Sequence, residues 1–231
     1  MKADSAPRQK VLAKARLQSQ RLADQAYALL RAQILNGELP PGHALSVPKL
    51  SRLLGVSRSP VREAVLQLVA DGLAQEEAHK GAVVAHFGLE DALQILEARE
   101  ALELASVQLG VRRATTRDLE ELQRILQVQA ETVQNGDLEG YQATDLQFHK
   151  MLGSLSYNPV LERMVGLLKD QFHLALEPAA RSLGQLERGF QEHQEVLKAL
   201  EARSAPQAAR ALQKHFERIR ESLESWLAAR G

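Results

Sequence analysis

The chain contains no cysteine among its 231 residues, which excludes a disulfide framework and any thiol chemistry. Aromatic residues are scarce, at 4%. No window reaches the roughly 20 apolar residues that a membrane span needs. The opening stretch MKADSAPRQKVLAKARLQSQ has no apolar core of signal-peptide type. A cytoplasmic protein with no membrane partner is the expectation. Net charge is absent too: 29 Lys and Arg balance 29 Asp and Glu, and that total alone argues against a nucleic-acid partner. Self-similarity at 34 or 40 residues is also missing, so a solenoid is excluded.

What is present changes that picture. Hydrophobic residues make up 45%, enough for real cores, in a composition rich in Ala, Leu, Glu, Gln and Arg that favours helix. The length allows two modest domains. The charge is unevenly placed: residues 1–86 hold 12 Lys/Arg against 7 Asp/Glu, and the remainder 17 against 22. A basic head on an acidic body suits one unit that faces DNA and one that stays off it. Residues 1–20, with Arg21 at their end, form a basic arm (Lys2, Arg8, Lys10, Lys14, Arg16, Arg21) read as a solvated, partly disordered tail, with contact to the DNA backbone as the other reading.

Leu50 to Leu73 reads as helix, tight turn, second helix. Leu50, Leu53 and Leu54 make an apolar stripe, and Gly55 stops that helix. Ser59 is placed to cap the second helix with Pro60 at its first position, and Val61, Ala64, Val65 and Leu68 give it a buried face. Ser57, Arg58, Ser59 and Arg62 lie at its exposed start, the end that enters the major groove in a helix-turn-helix. Arginine bridges guanine O6 and N7, and serine hydroxyls bind phosphates or base edges. The plain alternative is a helical hairpin with charged faces, and the flanks argue against it. Ala26, Leu29, Leu30, Ile34 and Leu35 form an amphipathic helix ending at Asn36-Gly37. Leu73–Gln75 and Val83–Ala85 are expected to pair as short strands, with Gly81 at the tip beside His79 and Lys80. Residues 21–86 are thus expected to be a winged helix-turn-helix.

ILNGELPPGHALS, LLGVSRSPVREAVLQLVADGL and HKGAVVA resemble the DNA-binding domain of GntR-type bacterial transcription regulators. The resemblance implies that Arg58, Ser59 and Arg62 contact DNA and that Lys80 and Gly81 sit in a wing that reaches the minor groove. Val47 departs from the acidic residue that often stands there in the family.

From Phe87 on the pattern is helical, and residues 87–231 are expected to form an all-α bundle of six helices at about 89–112, 116–135, 137–155, 159–178, 184–203 and 205–229. Asp137, Asn158 and Ser204 are placed as caps. Asp145 and His149 fall four apart within the stripe Leu138, Tyr141, Phe148, Leu152. His193 lies in the stripe Leu186, Phe190, Leu197, Leu200, and His215 in Leu212, Ile219, Leu223, Trp226. A single inward histidine is best read as a hydrogen-bonded core residue. Four such groups left unpaired would cost about 1–3 kcal/mol each, and one divalent cation satisfies them together. Three imidazoles and a carboxylate suit zinc first, then nickel, manganese or iron, with a position open for water or an anion. Glu192, adjacent to His193, is expected to turn about 100° away from the site. By spacing alone Arg99 makes a surface ion pair with Glu103. His173 stays unassigned.

This half resembles the FCD effector-binding domain of the FadR branch of GntR regulators, in its smaller, VanR-like six-helix version. DLQFH at 145–149, His193 in GFQEHQEVLKAL and His215 in ALQKHFERI match the family's ligands. ILEAREALELAS matches its first helix, and SYNPVLERM a further motif. The resemblance implies that Arg99 faces an effector carboxylate, that Asn158 is an effector residue, and that a homodimer binds a palindromic operator, most members being repressors. The expected effector is a small organic acid bound at the metal. A regulator that senses metal without an organic effector, and a metallohydrolase, are the rival readings; the attached DNA-binding head has no place in the second.

Overall fold

The structure is a computed structural model that describes the backbone of residues 6–180 and 186–229 and the side chains of residues 19–176 and 186–229. It divides into two compact units between His86 and Phe87.

In the first unit, α1 (Ala6–Leu35) and α2 (Val47–Leu54) pack on α3 (Arg58–Ala70). The chain is helical from Ala6, so most of the expected arm belongs to α1; Met1–Ser5 lie outside the described residues. Ala26, Leu30 and Ile34 are buried, while Leu29 is largely exposed. The stripe expected on α2 is displaced. Leu50 and Ser51 face the core and Leu53 is 76% exposed. Ser51 lies 100° from Leu50 in the direction away from Leu53, so only a narrow arc of this two-turn helix meets α3. Gly55 closes it at φ 67°, the left-handed conformation that glycine adopts without a Cβ clash. Val61, Ala64, Val65 and Leu68 bury the inner face of α3 as expected. The helix begins two residues early, with Ser57 as N-cap and Ser59 inside the first turn. Pro60 is tolerated there because first-turn N–H groups have no helical partner.

The wing is the antiparallel pair β1 (Ala74–Glu77) and β2 (Gly81–Val84), in register Ala74↔Val84 to Glu77↔Gly81. Pairing runs further toward the tip than expected. His79 turns the tip at φ 66°, and Gly81 opens β2.

The second unit contains six helices among the described residues: α4 (Leu89–Arg113), α5 (Thr116–Asn135), α6 (Leu138–Ser154), α7 (Pro159–Ala180), α8 (Leu186–Glu201) and α9 (Ala205–Ala228). Thr115 and Asp118 form a capping box for α5, and Asp137 caps α6 through Gly140 N–H. Asn158 caps α7, its Oδ1 accepting from Val160 N–H at 3.0 Å. Ser204 is the α9 N-cap residue without a side-chain bond. Helix α4 packs against α6, α7, α8 and α9. Its contact with α6 needs Gly110, where a Cβ would come within 2.9 Å of the Leu155 Cβ. The core joins Leu96, Val107, Leu122, Phe148, Leu152, Phe172, Val196, Leu212 and Phe216. No described helix is long and apolar enough to cross a membrane.

Candidate functional site

At the start of α3, Ser57, Arg58, Ser59 and Arg62 are all exposed, as are His79, Lys80 and Gly81 at the wing. Ser57 makes no side-chain cap bond, so the first N–H groups of α3 have no cap partner among the described residues. An open helix N-terminus flanked by guanidinium and hydroxyl groups can accept phosphates and base edges. Lys80 pairs with Glu77 at 2.7 Å, a solvent-exposed contact that DNA can displace at little cost.

The second site lies inside the helical unit. His149 from α6, His193 from α8 and His215 from α9 are buried, and one ring nitrogen from each comes within 4.8 Å of the others. The three Nε2 atoms have no hydrogen-bond partner. Each Nδ1 does: His149 meets Glu103 Oε2 at 2.5 Å, His193 meets Gln129 Oε1 at 2.8 Å and His215 meets Glu192 Oε2 at 2.9 Å. Acceptors on Nδ1 put the proton there and leave Nε2 as a lone pair. Phe148 stacks on His193 with ring centroids 4.1 Å apart and fixes its plane. Asp145 Oδ1 lies 3.6 Å from Nε2 of both His149 and His193, and its Oδ2 is bound by the Lys169 ammonium.

These residues fit a divalent cation. Three orphaned, deprotonated nitrogens and a carboxylate oxygen converge, each ring braced from behind. The electrostatics agree. Burial drives the His193 imidazole well below the usual histidine range, and the rings of His215 and His149 push the same way. Burial and then His149 do the same to His215. For Glu103 burial would raise the carboxyl, but His149 and Arg99 outweigh it and hold it at about 2. Asp145 resists burial likewise through Lys169, His149 and His193, and stays well below the usual carboxylate range.

Arg99 is fully buried, which corrects the surface ion pair expected from spacing. Its Nε donates to Glu103 at 3.0 Å, and its guanidinium carbon lies 4.7 Å from the Phe172 ring centroid. Nη1 has no partner, and Nη2 is 2.9 Å from Glu103 Oε1 without hydrogen-bond geometry. Beside the histidines is a cavity of about 120 Å³, lined by Tyr141, Asp145, Lys169, His173, His215 and Arg218 among others. His173 thus resolves as a cavity residue. Neither Arg99 nor Asn158 is on its wall, and Asn158 acts as the α7 cap. Glu192 turns inward, against expectation, because α8 packs on both α5 and α9 and so buries two adjacent faces. Sequence reading missed Glu103, Gln129, Glu192, Lys169 and Arg218 as partners of the site. The one available signal was the Arg99–Glu103 spacing.

A wing, an open recognition helix and an all-helical second unit define a winged helix-turn-helix DNA-binding protein. Residues 22–84 match bacterial regulatory proteins of the gntR family, and residues 94–218, more than half of the chain, match the FCD domain. The chain belongs to the GntR family of bacterial transcription regulators, with an FCD domain that has six helices among the described residues. It is 28% identical to the HTH-type transcriptional regulator LutR of Bacillus subtilis over 214 residues, 84% of this chain and 97% of that one. It is 25% identical to the HTH-type transcriptional repressor RspR of Escherichia coli, over 89% and 90% of the two chains. Among solved structures, E. coli McbR/YncC superposes with a TM-score of 0.74 at 26% identity, over 89% and 98%. These relatives are regulators and not enzymes, which removes the metallohydrolase reading.

Proposed function

We propose that this regulator is a repressor that binds a palindromic operator as a homodimer and is controlled by a small carboxylate at a metal site in its helical unit. The observation that carries the reading is the trio of unpartnered, buried Nε2 atoms facing Asp145. Asp145, His149, His193 and His215 would hold the ion, zinc first on this donor set. When bound, it supplies an open coordination position for an anion. Arg99 holds buried donors ready for the same carboxylate, through Nη1 and Nη2, in charge-assisted hydrogen bonds. The adjoining cavity, with Lys169 and Arg218 on its wall, favours an acid effector over a regulator that senses metal alone.

Acid and DNA are coupled only through differential affinity, so operator DNA must change acid affinity by the factor by which acid changes DNA affinity. The test is elemental analysis of protein purified without added metal, followed by operator gel shifts of metal-loaded and chelated protein with organic acids. About one divalent ion per chain and an acid effect that vanishes on chelation are expected. A hit of equal strength without metal would overturn the mechanism.

A further inference from the structure

The ion pairs around the histidines form a closed set. Glu103, which braces His149, is matched by Arg99. Glu192, which braces His215, is matched by Arg218, whose Nε donates to both its oxygens at 2.9 and 2.8 Å. Asp145, the carboxylate facing the Nε2 atoms, is matched by Lys169. Three carboxylates meet three cations, and Asp145 is the one carboxylate on the cavity wall among the described residues. A divalent ion held by neutral imidazoles and the already paired Asp145 therefore adds two positive charges with nothing in the protein to balance them. In a poorly solvated site an unbalanced charge is costly.

Lys169 shows where the balancing charge goes. It is 5% exposed and lies on the cavity wall. An ammonium has three N–H donors, and Asp145 is its one hydrogen-bond acceptor among the described residues. Arg218 stands on the same wall. The cavity, about 120 Å³, has room for a short acid.

We infer that the effector is a short dianion, with one carboxylate at the metal and the second anionic group received by Lys169 beside Arg218. This rests on the metal-and-acid reading above and narrows it from acids in general to those of two charges. It also assigns Lys169 as the residue that reads the second charge.

The test is isothermal titration calorimetry of the full-length protein loaded with one Zn²⁺ per chain. The probes are succinate against butyrate and malate against 3-hydroxybutyrate, pairs that differ by one carboxylate in place of a methyl. Charged hydrogen bonds of this kind correspond to a preference for the dianion on the order of ten- to a hundredfold. Lys169→Gln and Lys169→Met should erase the preference within each pair and retain zinc by elemental analysis. Equal binding within each pair by the native protein, needing no variant, would overturn the dianion inference while leaving the metal-and-acid reading intact. Loss of zinc from both Lys169 variants would reduce Lys169 to a positioning residue for Asp145 and overturn its assignment. Binding of none of the four acids to zinc-loaded protein would overturn both readings.

Discussion

In the N-terminal unit Ser57, Arg58, Ser59 and Arg62 stand in solvent, whereas in the helical unit His149, His193 and His215 are closed off from it and each is tied to a second side chain. The first arrangement separates function from stability. An exposed arginine at a helix start contributes little to the fold, because surface ion pairs and exposed side chains are worth a few tenths of a kcal/mol. The second arrangement joins them. Groups that would bind the ion are also core groups, so whatever satisfies them stabilises the unit around them.

The largest effect that tests this contrast is removal of the ion. At a free concentration a thousandfold above Kd, a ligand of the folded state contributes about 4 kcal/mol, on the order of 10 °C in Tm for a chain of this size. Chelation should therefore lower Tm strongly, and His193→Ala should abolish both the ion and the response to chelator. A chelator-insensitive melting curve for native protein would break the comparison, since the buried site would then be as separable from the fold as the surface one.

Acid should act next. His193 and His215 titrate well below their unfolded values, because burial disfavours the imidazolium. The folded metal-free protein thus binds fewer protons than the unfolded chain once pH falls below about 6.5. Their contribution is complete above that pH and is lost as pH falls below it toward their lower folded values. Denaturant melts of chelated protein between pH 7.5 and 5.5 should show this decline. A flat profile would mean that the rings are not held neutral.

Smaller in energy, and confined to DNA, are the recognition-helix substitutions. Arg58→Ala and Arg62→Ala should each cost about 1–3 kcal/mol on the operator if the contact is to a base. Tm and metal content should stay as in the native protein. Gel-shift titration at fixed salt, paired with calorimetric melting, reads both halves. A substantial fall in Tm would place these residues in the fold as well as at the surface. The smallest expected effect sharpens the boundary of the buried site. Asn158→Ala removes the α7 cap and should lower stability by about 1 kcal/mol. Acid affinity and zinc content should not change, which separates a cap from an effector residue by calorimetry.

The sequence was most readable where one periodicity decides the outcome. Val61, Ala64, Val65 and Leu68 on α3, and the inward placement of Asp145, His149, His193 and His215, follow from i, i+3 and i+4 spacing along an apolar stripe. It failed where a helix is buried on more than one side. Helix α4 meets four others, so Arg99 and Glu103 are interior although their spacing is that of a surface pair. Glu192 was placed outside by the 100° step, yet α8 lies between α5 and α9 and both positions are covered. Gln129 sits on α5 with no apolar signature of its own that distinguishes a brace from a bystander. Leu53 failed in the opposite way, on a helix too short to bury a full stripe.

The uneven exposure of the four candidate ligands has a consequence in time. The three imidazoles are sealed, and Asp145 alone retains contact with solvent, its side chain 21% exposed beside the cavity. Among the described residues, the cavity side where Asp145 and His215 stand is the doorway an ion would use, with the rings already oriented. Uptake would then be paced by shedding of water there. An acid lodged in the cavity stands across the same doorway, so it should lengthen the residence of the ion. Chelator-driven release should slow when the effector is present, a clock by which occupancy of one ligand is read from the escape of the other.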